Sequence, residues 1–123
     1  MKNSEILHLA NQWGISTDII MNLLENRDSL AYRFLRAVQI GSKHAIHSKE
    51  LQKKLSVGHR DIEDAAFRLR GIGFPIIGNS AGYYAAADLT EGKECFELLY
   101  NRAMSTLHSL ERIHETLEKE GCV

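Results

Sequence analysis

The stretch IHSKELQKKLSVGHRDIEDAAFRLRGIGFPIIGNSAGYYAAA, from Ile46 to Ala87, decides the fold. Ser48 stands ahead of Leu51 and Leu55. A serine before an apolar-periodic run signals a helix start, because its oxygen can accept a free backbone N–H. Leu55-Ser56-Val57-Gly58 breaks the period, with Gly58 expected to take the awkward turn. A second helix follows, with Ile62, Ala65, Ala66, Leu69 and Ile72 along one side. It is expected to stop at Gly73, since Phe74-Pro75 cannot continue a helix. Two short apolar runs come next, Pro75 to Ile77 and Tyr83 to Ala86. Between them, Gly78-Asn79-Ser80-Ala81-Gly82 is hairpin punctuation.

Two short helices joined tightly and followed by a β-hairpin describe a winged helix-turn-helix. The residues Ile46, Leu51, Leu55, Val57, Arg60, Ile62, Leu69-Arg70, Gly73, Pro75-Ile76 and Gly82-Tyr83-Tyr84 occur in that order. This set resembles the winged helix-turn-helix of the biotin-repressor and DeoR-like regulators. It also resembles small winged-helix proteins of phages and prophages, some linked to replication initiation. The resemblance covers about a third of the chain. It implies binding of double-stranded DNA, in transcription control or replication initiation, with the second helix of the pair in the major groove.

Outward from this stretch the chain reads as helical. Residues 4–12 carry Ile6, Leu7, Leu9 and Ala10. Ser16 or Thr17 can cap a helix holding Ile19, Ile20, Leu23 and Leu24. This pair is itself shaped like a helix-turn-helix, but its second helix shows only Asp18 and Asn22 as polar groups. The expectation is therefore a supporting hairpin rather than a second reading head. Asp28 or Ser29 can cap a further helix running from Leu30 through Val38 and Gln39 to Gly41. Ala45-Ile46 is a candidate minimal strand beside the hairpin. Thr90 opens a final helix reaching about Glu120, with Glu91, Glu94 and Glu97 favourably placed near its positive end. Along it Phe96, Tyr100, Ala103, Leu107, Leu110, His114 and Leu117 recur at alternating spacings of four and three, a heptad seam. Either this helix packs on its own domain or its later half pairs with a second copy. The balance favours a homodimer, with Tyr100, Leu107, Leu110, His114 and Leu117 at the contact.

The expected architecture is mainly α. It has an N-terminal helical hairpin (1–27), a winged helix-turn-helix with a short β-hairpin wing (28–87) and a long C-terminal helix (88–123). At 123 residues the chain can bury one real core. No run of 18 apolar residues suggests a membrane span, and the N-terminus does not read as a secretory signal, so the expected location is the cytoplasm. Cys95 and Cys122 form no CxxC pair and are expected to be free thiols. The net charge of −1 hides an asymmetry. Residues 1–41 balance, residues 42–87 carry seven basic against four acidic side chains, and residues 88–123 carry four against eight. The positive excess sits on the candidate DNA-reading unit, as phosphate binding requires.

No catalytic constellation can be assembled. HExxH, P-loop and GxSxG patterns are missing, and neither His44/His47 nor His108/His114 completes a metal site. The expectation is a non-enzyme with no cofactor and no metal. The candidate DNA contacts are His59 and Arg60 at the head of the second helix, Glu63, Asp64, Phe67 and Arg68 along it, Lys43, Lys49 and Lys53 as phosphate partners, and Asn79 and Ser80 at the hairpin tip. Lys54 is a candidate addition. Arg60 suits guanine or a phosphate, and Glu63 or Asp64 can accept from cytosine. Phe67 is out of place on a wet face. It supports an alternative, in which helix 59–72 docks a host or phage protein.

Overall fold

In the computed structural model, which describes residues 1–121, the apolar runs nominated by periodicity lie on helices and strands, and all but the stripe along the last helix are largely buried. The order is α1 (Asn3–Gln12), α2 (Thr17–Glu25), α3 (Leu30–Ala37), a 3-10 turn (Ser42–His44), α4 (Ser48–Leu55), α5 (His59–Ile72), β1 (Ile76–Asn79), β2 (Gly82–Ala85) and α6 (Leu89–Lys119). The chain is thus mainly helical, with a two-stranded antiparallel hairpin and a long C-terminal helix. No helix among the described residues is long and apolar enough to cross a membrane. Cys122 and its expected free thiol lie outside the described residues. Cys95 is a buried free thiol.

Caps set several of the boundaries. Ser16 Oγ accepts from the Ile19 N–H at 3.4 Å and Ser29 Oγ from the Tyr32 N–H at 3.2 Å, opening α2 and α3. α6 is opened by Asp88, whose Oδ1 accepts from the Glu91 N–H at 2.9 Å, and not by Thr90. α3 stops at Ala37, short of the expected Gln39. Val38 turns extended and is fully buried. The freed carbonyls of Leu35, Arg36 and Val38 accept from the Met1 ammonium at 3.0, 2.8 and 2.7 Å. A cation there also complements the negative end of the helix.

One core unites the N-terminal hairpin with the rest. Ile6, Leu9, Ile20 and Leu23 share it with Phe34, Leu35, Leu51, Ile62, Leu69 and Ile76. α5 buries Ile62, Ala65, Ala66 and Leu69, and leaves Ile72 half-buried at its end. A smaller cluster of Ile77, Tyr84, Ala86 and Cys95 lies under the start of α6. Trp13 touches both clusters.

The hairpin is tighter than the punctuation suggested. Asn79 pairs with Gly82, so Ser80 and Ala81 alone form the loop. Ile46 bridges Tyr83 on the other edge of β2, as the Ala45-Ile46 pattern anticipated, and Ile40 bridges Ala85 beyond it. The start of α6 is fastened by Glu91, whose carboxylate accepts from the Ala87 N–H at 2.9 Å and the Ser42 N–H at 3.1 Å. Burial pushes this carboxyl up, and the two amide donors outweigh it, so its pKa is held below the ordinary value. A depressed folded pKa gives stability that is complete above about pH 4.3, where the unfolded carboxyl ionises, and lost as pH falls through the folded value. Glu91→Ala is expected to cost about 0.5–1.5 kcal/mol at pH 7 through two lost hydrogen bonds, since water reaches the freed donors. The gap from the parent should shrink on acidification below pH 4, measured by urea unfolding across pH.

Candidate nucleic-acid interface

α4 and α5 meet at their N-terminal ends. His59 Nδ1 lies 2.9 Å from Ser48 Oγ, which also accepts from Gln52 Nε2 at 3.0 Å. Ser48 was expected to cap α4. It is the first helical residue instead, and its hydroxyl is free to make this link because His47 occupies the cap position. The left-handed turn residue between the helices is Ser56, at φ 54°, while Gly58 is extended. The strain therefore falls on Ser56, two residues before the expected glycine. The Gly58 N–H is satisfied by Asp61 Oδ2 at 3.1 Å.

His59 is held from both sides. Its Nε2 pairs with Glu63 Oε1, one turn further along α5. The ring is thereby oriented, and the Glu63 charge is turned toward it. Arg60, next in the chain, is exposed and has no partner among the described residues. Lys49 and Lys53 are exposed on α4. Two helix N-termini lie here with Arg60 and Lys49 beside them, and Glu50 and Asp61 stand in the same first turns, so the charge around the junction is mixed.

The other nominated residues scatter around this junction. Arg68 borders a shallow depression with Ile19, Asn22 and Asn26, on the α2 side of α5. Lys54 faces the opposite flank, in a cavity with Met1, Lys2, Glu5 and Arg36. Lys43 stands on the 3-10 turn beside β2, and Ser80 is exposed at the hairpin tip. Asn79 is spent on the turn, its Oδ1 accepting from the Ala81 N–H at 2.9 Å.

Glu63, Asp64 and Phe67 line one side of a cleft of about 420 Å³. Arg70, Gly78, Tyr83 and Arg102 complete it, so it runs between α5, the hairpin and α6. Phe67 is 76% exposed at its rim. Arg70 Nε donates to the Ile76 carbonyl at 2.7 Å, and burial lowers the pKa of its guanidinium. Tyr83 packs edge-on against Phe34 at 5.8 Å, and burial raises its hydroxyl pKa. Glu63, Asp64, Phe67 and Arg70 thus all come from α5, and Arg102 is the cleft's contribution from α6. Sequence reasoning missed Arg70 and Arg102 here. Arg70 had a signal, being three residues beyond Phe67 on a helix. Arg102 had none, since only the path of α6 brings it near.

No protein-family model, curated protein or solved structure matches this chain.

Proposed function

We propose that this is a double-stranded-DNA-binding protein of winged helix-turn-helix type, with α5 entering the major groove. The observation that carries the reading is the junction of α4 and α5. Ser48 and His59 fasten the two N-termini together, and Arg60 stands beside them without a partner among the described residues. α3 lies under both helices in the shared core, and the hairpin with its Ile46 edge follows directly. α5 spans about 20 Å, enough to cross a groove roughly 12 Å wide. In this reading Arg60 meets a base edge or a phosphate, and Lys49 and Lys53 neutralise phosphates. His59 is a strut that sets the angle of α5 and makes no base contact. Lys43 and Ser80 brace the backbone alongside.

The test is a mobility shift on duplexes selected from random sequence, repeated across salt concentrations. With four phosphate-facing cations the slope of log K against log salt is expected near −3 to −4 per chain. Arg60→Ala is expected to weaken the selected site by about 1–3 kcal/mol. Unchanged binding by that variant would remove Arg60 from the interface.

A second reading is favoured by Phe67. A phenylalanine 76% exposed beside Glu63 and Asp64 is the anchor of a protein contact more often than of a DNA contact. In that case α5 docks a host or phage protein, and the chain shows no DNA binding even at low salt.

A further inference from the structure

From Tyr100 to Gly121 every residue is exposed, yet the helix runs unbroken to Lys119. Twenty residues of helix extend about 30 Å. Helices hold in water chiefly by packing an apolar face, and beyond Arg102, which borders the cleft, no residue of this length is buried among the described residues. Its exposed apolar side chains include Tyr100 at 53%, Leu107 at 46%, Leu110 at 58% and Leu117 at 40%. The face of α6 turned to the head is a different one, carrying Gly92, Cys95 and Leu99. Phe96, which begins the stripe, lies one residue past Cys95 and so about 100° around the axis. The stripe faces sideways, clear of the head.

We propose that a second copy of this chain covers the stripe, with the two α6 helices antiparallel. The alternating four-three spacing averages 3.5 residues, a seam that matches another helix of the same repeat. The seam is also self-complementary in one direction. With a two-fold axis between His108 and Ser109, Leu107 meets the partner's Leu110. Ala103 meets the partner's His114, and Tyr100 meets the partner's Leu117. The layers are then Leu with Leu, Ala with His and Tyr with Leu, so the ring of His114 fills the space left by the small Ala103. A parallel pair would stack Ala103 on Ala103, leaving a gap, and would press two His114 rings together. It would also lay two tails rich in Glu111, Glu115, Glu118 and Glu120 side by side.

The direction has a consequence for the heads, which rests on the DNA reading above. The head lies about a quarter turn from the seam. A two-fold axis across the rod therefore keeps both heads on one side of it, whereas an axis along the rod sends them to opposite sides. Cys95 is about 13 residues from the proposed axis, so the heads lie about 40 Å apart along the rod. One turn of duplex spans about 34–36 Å. Such a dimer reads two half-sites on one face of DNA.

The test uses the full chain without DNA, so its outcome is independent of the DNA reading. Analytical ultracentrifugation at tens of micromolar should give a dimer. Leu110→Glu should weaken it at least 100-fold while the Trp13 fluorescence and the head stay as in the parent. Orientation is read by oxidation with diamide in a Cys122→Ser background. Tyr100→Cys chains alone should not cross-link, because the two thiols lie about 25 Å apart. Leu117→Cys chains alone should likewise stay single. A mixture of the two should give a covalent heterodimer. A monomeric parent, an unaffected Leu110→Glu variant or a higher oligomer overturns the pairing. Self-cross-linking of either single variant overturns the direction. A dimer that binds no duplex leaves the pairing standing and sinks only the DNA assignment.

Discussion

Gly82→Ala is expected to cost about 3–5 kcal/mol, more than any surface substitution in the chain. Two effects combine. Gly82 has φ +120°, a conformation side chains rarely adopt, which alone costs about 1–3 kcal/mol. A Cβ there would also sit 2.5 Å from the Ile46 carbonyl oxygen and 2.6 Å from its carbon. That backbone cannot retreat. The Ile46 N–H donates to the Tyr83 carbonyl at 3.0 Å, and the Tyr83 N–H donates to the Ile46 carbonyl at 2.8 Å. The Ile46 side chain is itself in the core. The added methyl therefore pushes apart the hairpin and the segment that leads into α4. Gly14→Ala isolates the first effect, because Gly14 has φ +67° and open space where a Cβ would go. It should cost only about 1–2 kcal/mol. The comparison is made by urea unfolding. Equal costs for the two would mean that the contact with Ile46 is slack.

Gly82 also marks what was readable in advance. As turn punctuation it was visible, and so were α5, its buried face and the Ile46 edge, because each is written in a short window of residues. The heptad spacing on α6 was visible for the same reason. The closeness of Gly82 to Ile46 was not, since 36 residues separate them. Ser48 was misread because its position fits a cap, and its real partner, His59, is 11 residues on. Ser56 takes the left-handed turn although Gly58, two residues later, is the residue that turn chemistry favours for it. The cleft containing Arg102 depends on where α6 leaves the head, which no local pattern encodes. Of the nominated contacts, those near the α4–α5 junction came together. Arg68, on α5, and Lys54, on α4, diverged into separate depressions, one beside α2 and the other beside the N-terminus.

The direction in which α6 leaves is set by Trp13, and the matching prediction concerns Gly92. A Cβ on Gly92 would lie 2.1 Å from Trp13 Cη2, so the bare helix surface there is the seat of the indole. The ring is held by shape, since its Nε1 has no partner among the described residues. It touches both hydrophobic clusters and so joins α6 to the head. Gly92→Ala is expected to cost about 2–3 kcal/mol by driving the indole out. Trp13→Ala should cost about 3–5 kcal/mol through lost burial. Combined, they should not add. With the indole gone, the three atoms that crowd the methyl are gone, and alanine is the better helix former by about 1 kcal/mol. Gly92→Ala should therefore reverse sign and stabilise the Trp13→Ala chain, a coupling of about 3–4 kcal/mol. Trp13 is the single tryptophan of the chain, so its fluorescence should shift to the red in Gly92→Ala alone. If Gly92→Ala costs the same in both backgrounds, the indole is not seated on α6. The long helix would then bear on the head through Glu91 and the Cys95 cluster alone, a looser base for holding two heads at a set spacing on one duplex.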